Sequence, residues 1–134
     1  MSESSAVRAL RGATTVDADG RPTAAIARDA TQELLRAMLE RNALTVNDVV
    51  SAFFTVTPDL YDAAPALAAR EAGWHEVPML IASEAPSAIG IARCIRVLAH
   101  VETPRPRSAM RHVYLHGARV LRPDLLEKSP DDAH

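Results

Sequence analysis

In residues 95–102, IRVLAHVE, every second residue is apolar, and three of the four residues between them are charged or polar. This alternation is typical of a β-strand with two unlike faces. A strand of this kind buries one face against a layer of helix. The predicted buried face consists of Ile95, Val97, Ala99 and Val101. The predicted opposite face consists of Cys94, Arg96, Leu98 and His100.

One long amphipathic helix is predicted over Ala24–Asn42, where apolar residues recur at helical spacing and Thr23 would be its N-cap. A shorter helix, Pro65–Ala72, would end at Gly73. Runs rich in β-branched residues predict the other strands, which are Val7–Val16, Val49–Thr57, Val77–Ser83, His112–Leu115 and Arg119–Leu121. The sequence of Glu84–Ala92 fits either a loop or a short helix. The expected fold class is α+β (mixed α/β), a five- or six-stranded mixed sheet packed with one long helix and short helices.

The 134 residues are expected to form a single domain over residues 1–126, followed by a polar, disordered tail over 127–134. One long helix covers only one face of such a sheet, so the other face must meet solvent or another subunit. Because Phe53, Phe54, Val56 and Ile95 lie in the strands, we expect that face to form a subunit interface.

Composition and charge exclude several classes of protein. The net charge of −2 argues against nucleic-acid binding, and no apolar run is long enough to cross a membrane. The first residues lack the features of a secretory signal. The single cysteine, Cys94, excludes an internal disulfide and is expected to be a small buried hydrophobe.

The basic residues are unusual because Lys128 is the only lysine among the 15 of them. Genome composition accounts for most of this excess, but arginine also binds carboxylates and phosphates bidentately. Three arginines lie at strand positions in this net-acidic chain, which indicates a polyanionic small molecule as the ligand. They are Arg11, Arg96 and Arg122.

Each candidate side chain also has an ordinary interpretation. Arg96 lies mid-strand between apolar residues, where a charge is costly without a partner, but it could equally face solvent. Glu84 follows a strand and either pairs with an arginine or is a surface carboxylate. Tyr114 is either a wall of the pocket or part of the core. The glycine after Arg11, Gly12, indicates a close backbone approach or a bulge.

The sequence contains no nucleophile elbow, no phosphate-binding glycine loop and no dinucleotide fingerprint. His112 and His116 are four residues apart, but in a strand-and-turn context that does not form a helical metal pair. We therefore predict neither a metal nor a cofactor. A site of Arg, Glu and Tyr side chains fits electrostatic catalysis or binding alone.

Several strings occur in order along most of the chain, at the spacing of one known family. They are LRGATTV at 10–16, TPDL at 57–60, GW at 73–74 with VP at 77–78, CIRV at 94–97, RHVYL at 111–115 and VLRPDL at 120–125. From about Val7 to Leu125 the chain resembles the AroH-class, monofunctional chorismate mutases of bacteria.

This resemblance implies a cytoplasmic homotrimer, a pseudo-barrel with active sites at its subunit interfaces. It implies conversion of chorismate to prephenate, on the branch towards phenylalanine and tyrosine, without a cofactor. The implied catalytic residues are Arg96 and Glu84. The implied substrate-binding residues are Arg11, Tyr114, Arg122, Arg70, Ala66, Leu80, Ile81 and Leu121, with the segment around Ala66 and Arg70 and the strand around Leu80 and Ile81 supplied by the neighbouring subunit.

The chain departs from the family pattern in that second segment. Ala64 stands where relatives carry an aromatic residue, Leu67 where they carry lysine, and Ile81 where they carry a cysteine; one residue between Arg70 and Trp74 is deleted. Two other functions stay open at this point. One is a Rid/YjgF-like imine deaminase of the same trimeric architecture, and the other is a non-catalytic trimer that binds a small molecule.

Overall fold

The protein, described from a computed structural model over residues 4–86 and 90–121, consists of one five-stranded sheet and a layer of helix. The strands are β1 (Ala6–Thr15), β2 (Val49–Val56), β3 (Met79–Ser83), β4 (Cys94–Thr103) and β5 (Val113–Leu115). The α-helices are α1 (Thr23–Arg41) and α2 (Pro65–Ala69). Arg122 and the tail over 127–134 lie outside the described residues.

The sheet is mixed, with the strand order β3-β2-β4-β1-β5. The central strand β4 is antiparallel to both of its neighbours, β2 and β1. The two edge strands are each parallel to the strand beside them, β3 to β2 and β5 to β1. The predicted fold class and a strand count of five are therefore confirmed for the described chain.

Helix α1 covers one face of this sheet, and its apolar stripe forms the main core with the strands. Leu34, Leu35 and Met38 are buried there. Gly12 of β1 lies directly beneath α1, because a Cβ built on it would overlap Met38 Sδ and would come within 3.2 Å of Leu34 Cδ1. The predicted close approach at Gly12 is thus the contact between helix and sheet.

The opposite face of the sheet, which we call the outer face, carries the alternate residues of each strand. Its exposed apolar side chains include Phe53 (42% exposed), Leu80 (69%) and Leu98 (37%). The prediction that Phe54, Val56 and Ile95 belong to an interface was wrong, because all three are buried in the chain's own core on the helix side.

Residues Arg119–Leu121 do not form the predicted strand. They fall in and just after a 3₁₀-helix, His116–Val120, in which the Leu121 N–H donates to the Ala118 carbonyl at 3.0 Å. The turn is held against β1 because the Gly117 N–H donates to Thr15 Oγ1 at 2.9 Å. These hydrogen bonds satisfy backbone groups that a sixth strand would have used.

The helix boundaries differ slightly from those predicted. Helix α1 begins at Thr23 itself, and Pro22 occupies the N-cap position. Helix α2 continues as a π-helical turn, Arg70–Trp74, in which Gly73 has φ of 103°, the left-handed conformation predicted for the residue that ends this helix. Among the described residues, none of the helices is long and apolar enough to cross a membrane.

Candidate active site

One row of residues crosses the outer face of the sheet from edge to edge. Residues that are register partners on neighbouring strands lie side by side and point to the same face. The register pairs Thr55 with Arg96, Arg96 with Ala13, and Ala13 with Tyr114, and Ala82 flanks Thr55 on the other side. Arg96 and Tyr114, two of the candidates from the sequence, are therefore separated by one residue across the sheet, Ala13.

Glu84 joins this row from the end of β3. Its backbone N–H donates to the Val56 carbonyl at 2.8 Å, which extends the pairing of β3 with β2 by one residue. Its Oε2 lies 3.1 Å from Nε of Arg96, and the two side chains are 23% and 31% exposed. The interpretation of Glu84 as an arginine partner is therefore confirmed over that of a separate surface carboxylate.

Thr55 is a third member of this group. Its Oγ1 donates to Oε2 of Glu84 at 2.6 Å, so the same carboxylate oxygen faces both the hydroxyl and the guanidinium. Among the described residues, no second carboxylate pairs with Arg96. The terminal guanidinium nitrogens thus stay available as donors to an anionic ligand.

Two buried polar atoms in this row lack a hydrogen bond within the described part of the chain. They are Arg96 Nε, which is close to Glu84 without hydrogen-bond geometry, and the hydroxyl of Tyr114. An unpaired buried polar atom costs about 1–3 kcal/mol, so such atoms are rare and mark places where a further partner belongs. Because Arg96 Nε faces the Glu84 carboxylate at 3.1 Å, the Tyr114 hydroxyl is the atom of the row for which a ligand is the expected partner.

Cys94 lies on the outer face next to Arg96 and is fully buried, as predicted. It packs in a small cluster with Ala13, Tyr114 and Ala118. Burial raises the pKa of the Cys94 thiol, and the neighbouring Arg96 guanidinium opposes this with a smaller effect. The thiol is therefore neutral and inaccessible, which does not suit a nucleophile.

Arg11 lies one row away on the same face. Its register partner on β4 is Leu98, and its backbone N–H donates to Nδ1 of His112 at 3.0 Å. Its side chain is half-buried and makes no ion pair with the other described residues. Arg11 is thus a second cation beside the row, without a carboxylate of its own.

The remaining predicted residues occupy three different places. Leu121 is half-buried and packs against the cluster around Tyr114. Ala66 and Arg70 lie on α2 and the turn that follows it, in the layer on the far side of the sheet from Arg96. Leu80 and Ile81 lie on the exposed edge strand β3. Within one chain the structure does not bring Ala66 or Arg70 to the Arg96 row.

Sequence reasoning missed Thr55, which it treated only as part of a buried strand. The alternation of β2 could have placed Thr55 on the polar side of that strand, but its contact with Glu84 spans 29 residues. Among the described residues, no group of three or more His, Cys, Asp or Glu side chains could hold a metal ion.

A guanidinium, a carboxylate and a buried phenol on one surface can bind a polar anion without any nucleophile. Comparison with known proteins identifies the family of the chain. The family model described as chorismate mutase type I matches residues 7–125. The chain belongs to this family. The AroH chorismate mutase of Thermus thermophilus is 48% identical over 120 residues, covering 89% of this chain and 96% of that protein.

Other chorismate mutases agree with this assignment. The AroH protein of Bacillus subtilis (strain 168) is 42% identical over 120 residues, covering 89% of this chain and 92% of that protein. A solved structure of a chorismate mutase from Clostridium thermocellum superposes with a TM-score of 0.78 at 43% identity, covering 84% of this chain and 97% of that one. The resemblance to the AroH-class chorismate mutases is therefore confirmed.

Proposed function

We propose that this protein is a chorismate mutase, an isomerase that rearranges chorismate to prephenate by a [3,3]-sigmatropic shift, in phenylalanine and tyrosine biosynthesis. The observation that carries the proposal is the Arg96–Glu84 pair at 3.1 Å on the outer face of a chain of this family. The Rid/YjgF-like alternative has no support, because the matching family model and the relatives named above are chorismate mutases.

The proposed reaction needs neither a nucleophile nor a general base, which agrees with the described residues of the site. The rearrangement is unimolecular, so the protein has to select the compact reactive conformer of the substrate and stabilise charge as the C–O bond breaks. A guanidinium fixed in a water-poor site does so by donating hydrogen bonds to the ether oxygen, where negative charge develops. We assign this role to Arg96.

The other assignments follow from charge and position. Glu84 accepts the hydrogen bond of the substrate's ring hydroxyl, since it is the carboxylate of the row and is held beside Arg96. Arg11 and Tyr114 bind a substrate carboxylate, because each offers a donor without a competing acidic partner in the described chain. Leu121 supplies apolar contact beside Tyr114. The role of Arg122 in substrate binding rests on the family resemblance alone, because this residue lies outside the described ranges.

We further propose that the active form is a cytoplasmic homotrimer, a pseudo-barrel in which the outer faces meet. The exposed Phe53, Leu80 and Leu98 on this face support an apolar interface. In the trimer the neighbouring subunit contributes Ala66 and Arg70, which lie apart from Arg96 within one chain, together with Leu80 and Ile81 of the exposed edge strand β3.

The test is to follow the ultraviolet absorbance of chorismate with purified protein, and to identify prephenate among the products. Loss of chorismate with formation of prephenate supports the mutase. Binding of chorismate without turnover supports the non-catalytic trimer instead, and the absence of both refutes the proposal. Light scattering after size-exclusion chromatography tests the trimer separately.

A further inference from the structure

The hydroxyl of Thr55 makes the hydrogen bond that orients Glu84. Thr55 lies on β2 directly beside Arg96 of β4, and its Oγ1 donates to Glu84 Oε2 at 2.6 Å. The contact of Arg96 Nε with the same oxygen, at 3.1 Å, lacks hydrogen-bond geometry. Charge attraction alone sets no direction, whereas a short hydrogen bond does.

The backbone around Glu84 does not replace this constraint. The Glu84 N–H is held by the Val56 carbonyl at 2.8 Å, but Glu84 lies one residue beyond the end of β3. A glutamate side chain has three torsions between its backbone and its carboxylate, so an anchored N–H leaves the carboxylate free to turn. Thr55 fixes the far end of that side chain.

Thr55 is well suited to this task. It is β-branched and lies within β2, one residue before its end and paired with β3 on one side and β4 on the other. Its χ1 angle is therefore restricted, and the hydroxyl is held in one direction. Because Oε2 of Glu84 faces both Thr55 and Arg96, the other oxygen, Oε1, is the one available as an acceptor for a ligand hydroxyl.

We propose that Thr55 is a positioning residue, which acts through Glu84 by directing one carboxylate oxygen to Arg96 and the other to the hydroxyl of the substrate. The identity of the substrate in this inference rests on the proposed function, whereas the contact between Thr55 and Glu84 is independent of it. A carboxylate displaced by an ångström can lower the rate by roughly 100-fold.

The kinetic test compares three variants. Thr55→Val removes the hydroxyl and keeps the branched shape, and we expect kcat to fall by about 10- to 100-fold with a smaller change in KM. Thr55→Ser keeps the hydroxyl and should recover most of the lost activity. Ser51→Ala is the matched control, since Ser51 lies on the same strand and face but contacts His100 at 3.4 Å.

A double variant distinguishes positioning from a general effect on the fold. If Thr55 acts through Glu84, adding Thr55→Val to Glu84→Ala should cause little further loss of kcat, because the group that it positions is gone. Independent, multiplicative losses would refute the proposal, and so would a Thr55→Val protein with wild-type kcat. If Thr55→Val fails to fold, Thr55→Ala is the second hydroxyl-free variant.

Crystal structures of the wild type and Thr55→Val test the geometry without any substrate. We expect one orientation of the Glu84 carboxylate in the wild type and altered or multiple orientations in the variant. An unchanged carboxylate in Thr55→Val would overturn the positioning role. If the wild type does not convert chorismate, the proposed function fails, while these two structures still decide the role of Thr55.

Discussion

Replacing Arg96 by lysine keeps the positive charge but removes the guanidinium fork. In the structure Arg96 has two separate groups of donors. Its Nε lies 3.1 Å from Glu84, and its terminal nitrogens make no ion pair with another described carboxylate. The single ammonium of lysine can approach Glu84 or an ether oxygen of the substrate, but it does not reproduce both contacts at once.

The expected loss follows from these contacts. Removing one donor to a developing oxyanion lowers kcat by about 10²–10³, which corresponds to about 2.7–4 kcal/mol. We expect Arg96→Lys to fall in this range and Arg96→Ala to lose at least as much. Stability should change by about 1 kcal/mol or less, because both Arg96 (31% exposed) and Glu84 (23%) reach water, which screens the pair.

The assay is steady-state consumption of chorismate, with urea unfolding of each variant to measure stability. Arg28→Lys is the matched control, because Arg28 is an exposed residue of α1, on the opposite side of the sheet, with Asp29 3.7 Å away. It should retain wild-type activity. An Arg96→Lys protein with kcat within tenfold of the wild type would refute the reasoning that the fork is required.

Three further variants test packing, backbone anchoring and titration. Gly12→Ala should lower the free energy of unfolding by about 1–3 kcal/mol in urea titrations, because its new methyl group overlaps Met38. Asp59→Ala should lower it by about 1 kcal/mol by the same measurement, since the Asp59 carboxylate accepts the Arg93 N–H at 2.9 and 3.1 Å. Burial raises the pKa of the Cys94 thiol above its ordinary value of 9.0, so the folded state favours the neutral thiol. This contribution to the free energy of unfolding is complete below pH 9.0 and is lost as the pH rises through the pKa of the folded state. Cys94→Ala should therefore lose less stability between pH 8 and pH 10 than the wild type, as measured by thermal unfolding.

Each of these three predictions has a result that contradicts it. The penalty of Gly12→Ala should shrink in a Met38→Ala background, and an equal penalty there would exclude the overlap as its cause. Asp62→Ala is the control for Asp59, because Asp62 is exposed and makes no hydrogen bond within the described ranges; an equal loss of stability would show a non-specific effect. Identical alkaline losses in Cys94→Ala and the wild type would exclude titration of the thiol.

The sequence predicted the parts of the fold that depend on local periodicity. The alternation of 95–102 correctly separated the buried residues of β4 from Arg96 and its neighbours, and the helical spacing located α1 within one residue at each end. The predicted strand Arg119–Leu121 was wrong because its three residues were judged on β-propensity, whereas the contact of Gly117 with Thr15 selects a 3₁₀-helix.

The site was predictable only as a set of residue types until the strands were paired. Nothing in the sequence states that Thr55 lies beside Arg96, because this depends on the register of β2 against β4. The contact between Glu84 and Thr55 depends in addition on the parallel pairing of β3 with β2. Charge patterning identified Arg11 and Arg96 as unusual, but the structure was needed to place them on one face.

The position of Arg96 on the central strand explains how a small sheet can form a precise site. Strand β4 is hydrogen-bonded on both sides, so the backbone that carries Arg96 is fixed by two neighbours. Neighbouring strands lie about 4.8 Å apart, which puts Thr55 roughly 5 Å and Tyr114 roughly 10 Å from Arg96 between backbones. Ala13 fills the strand between Arg96 and Tyr114 with a single methyl group, against which the tyrosine packs. A larger residue there would separate the guanidinium from the phenol, so the small side chain at position 13 is as much a requirement of this site as the two polar ones.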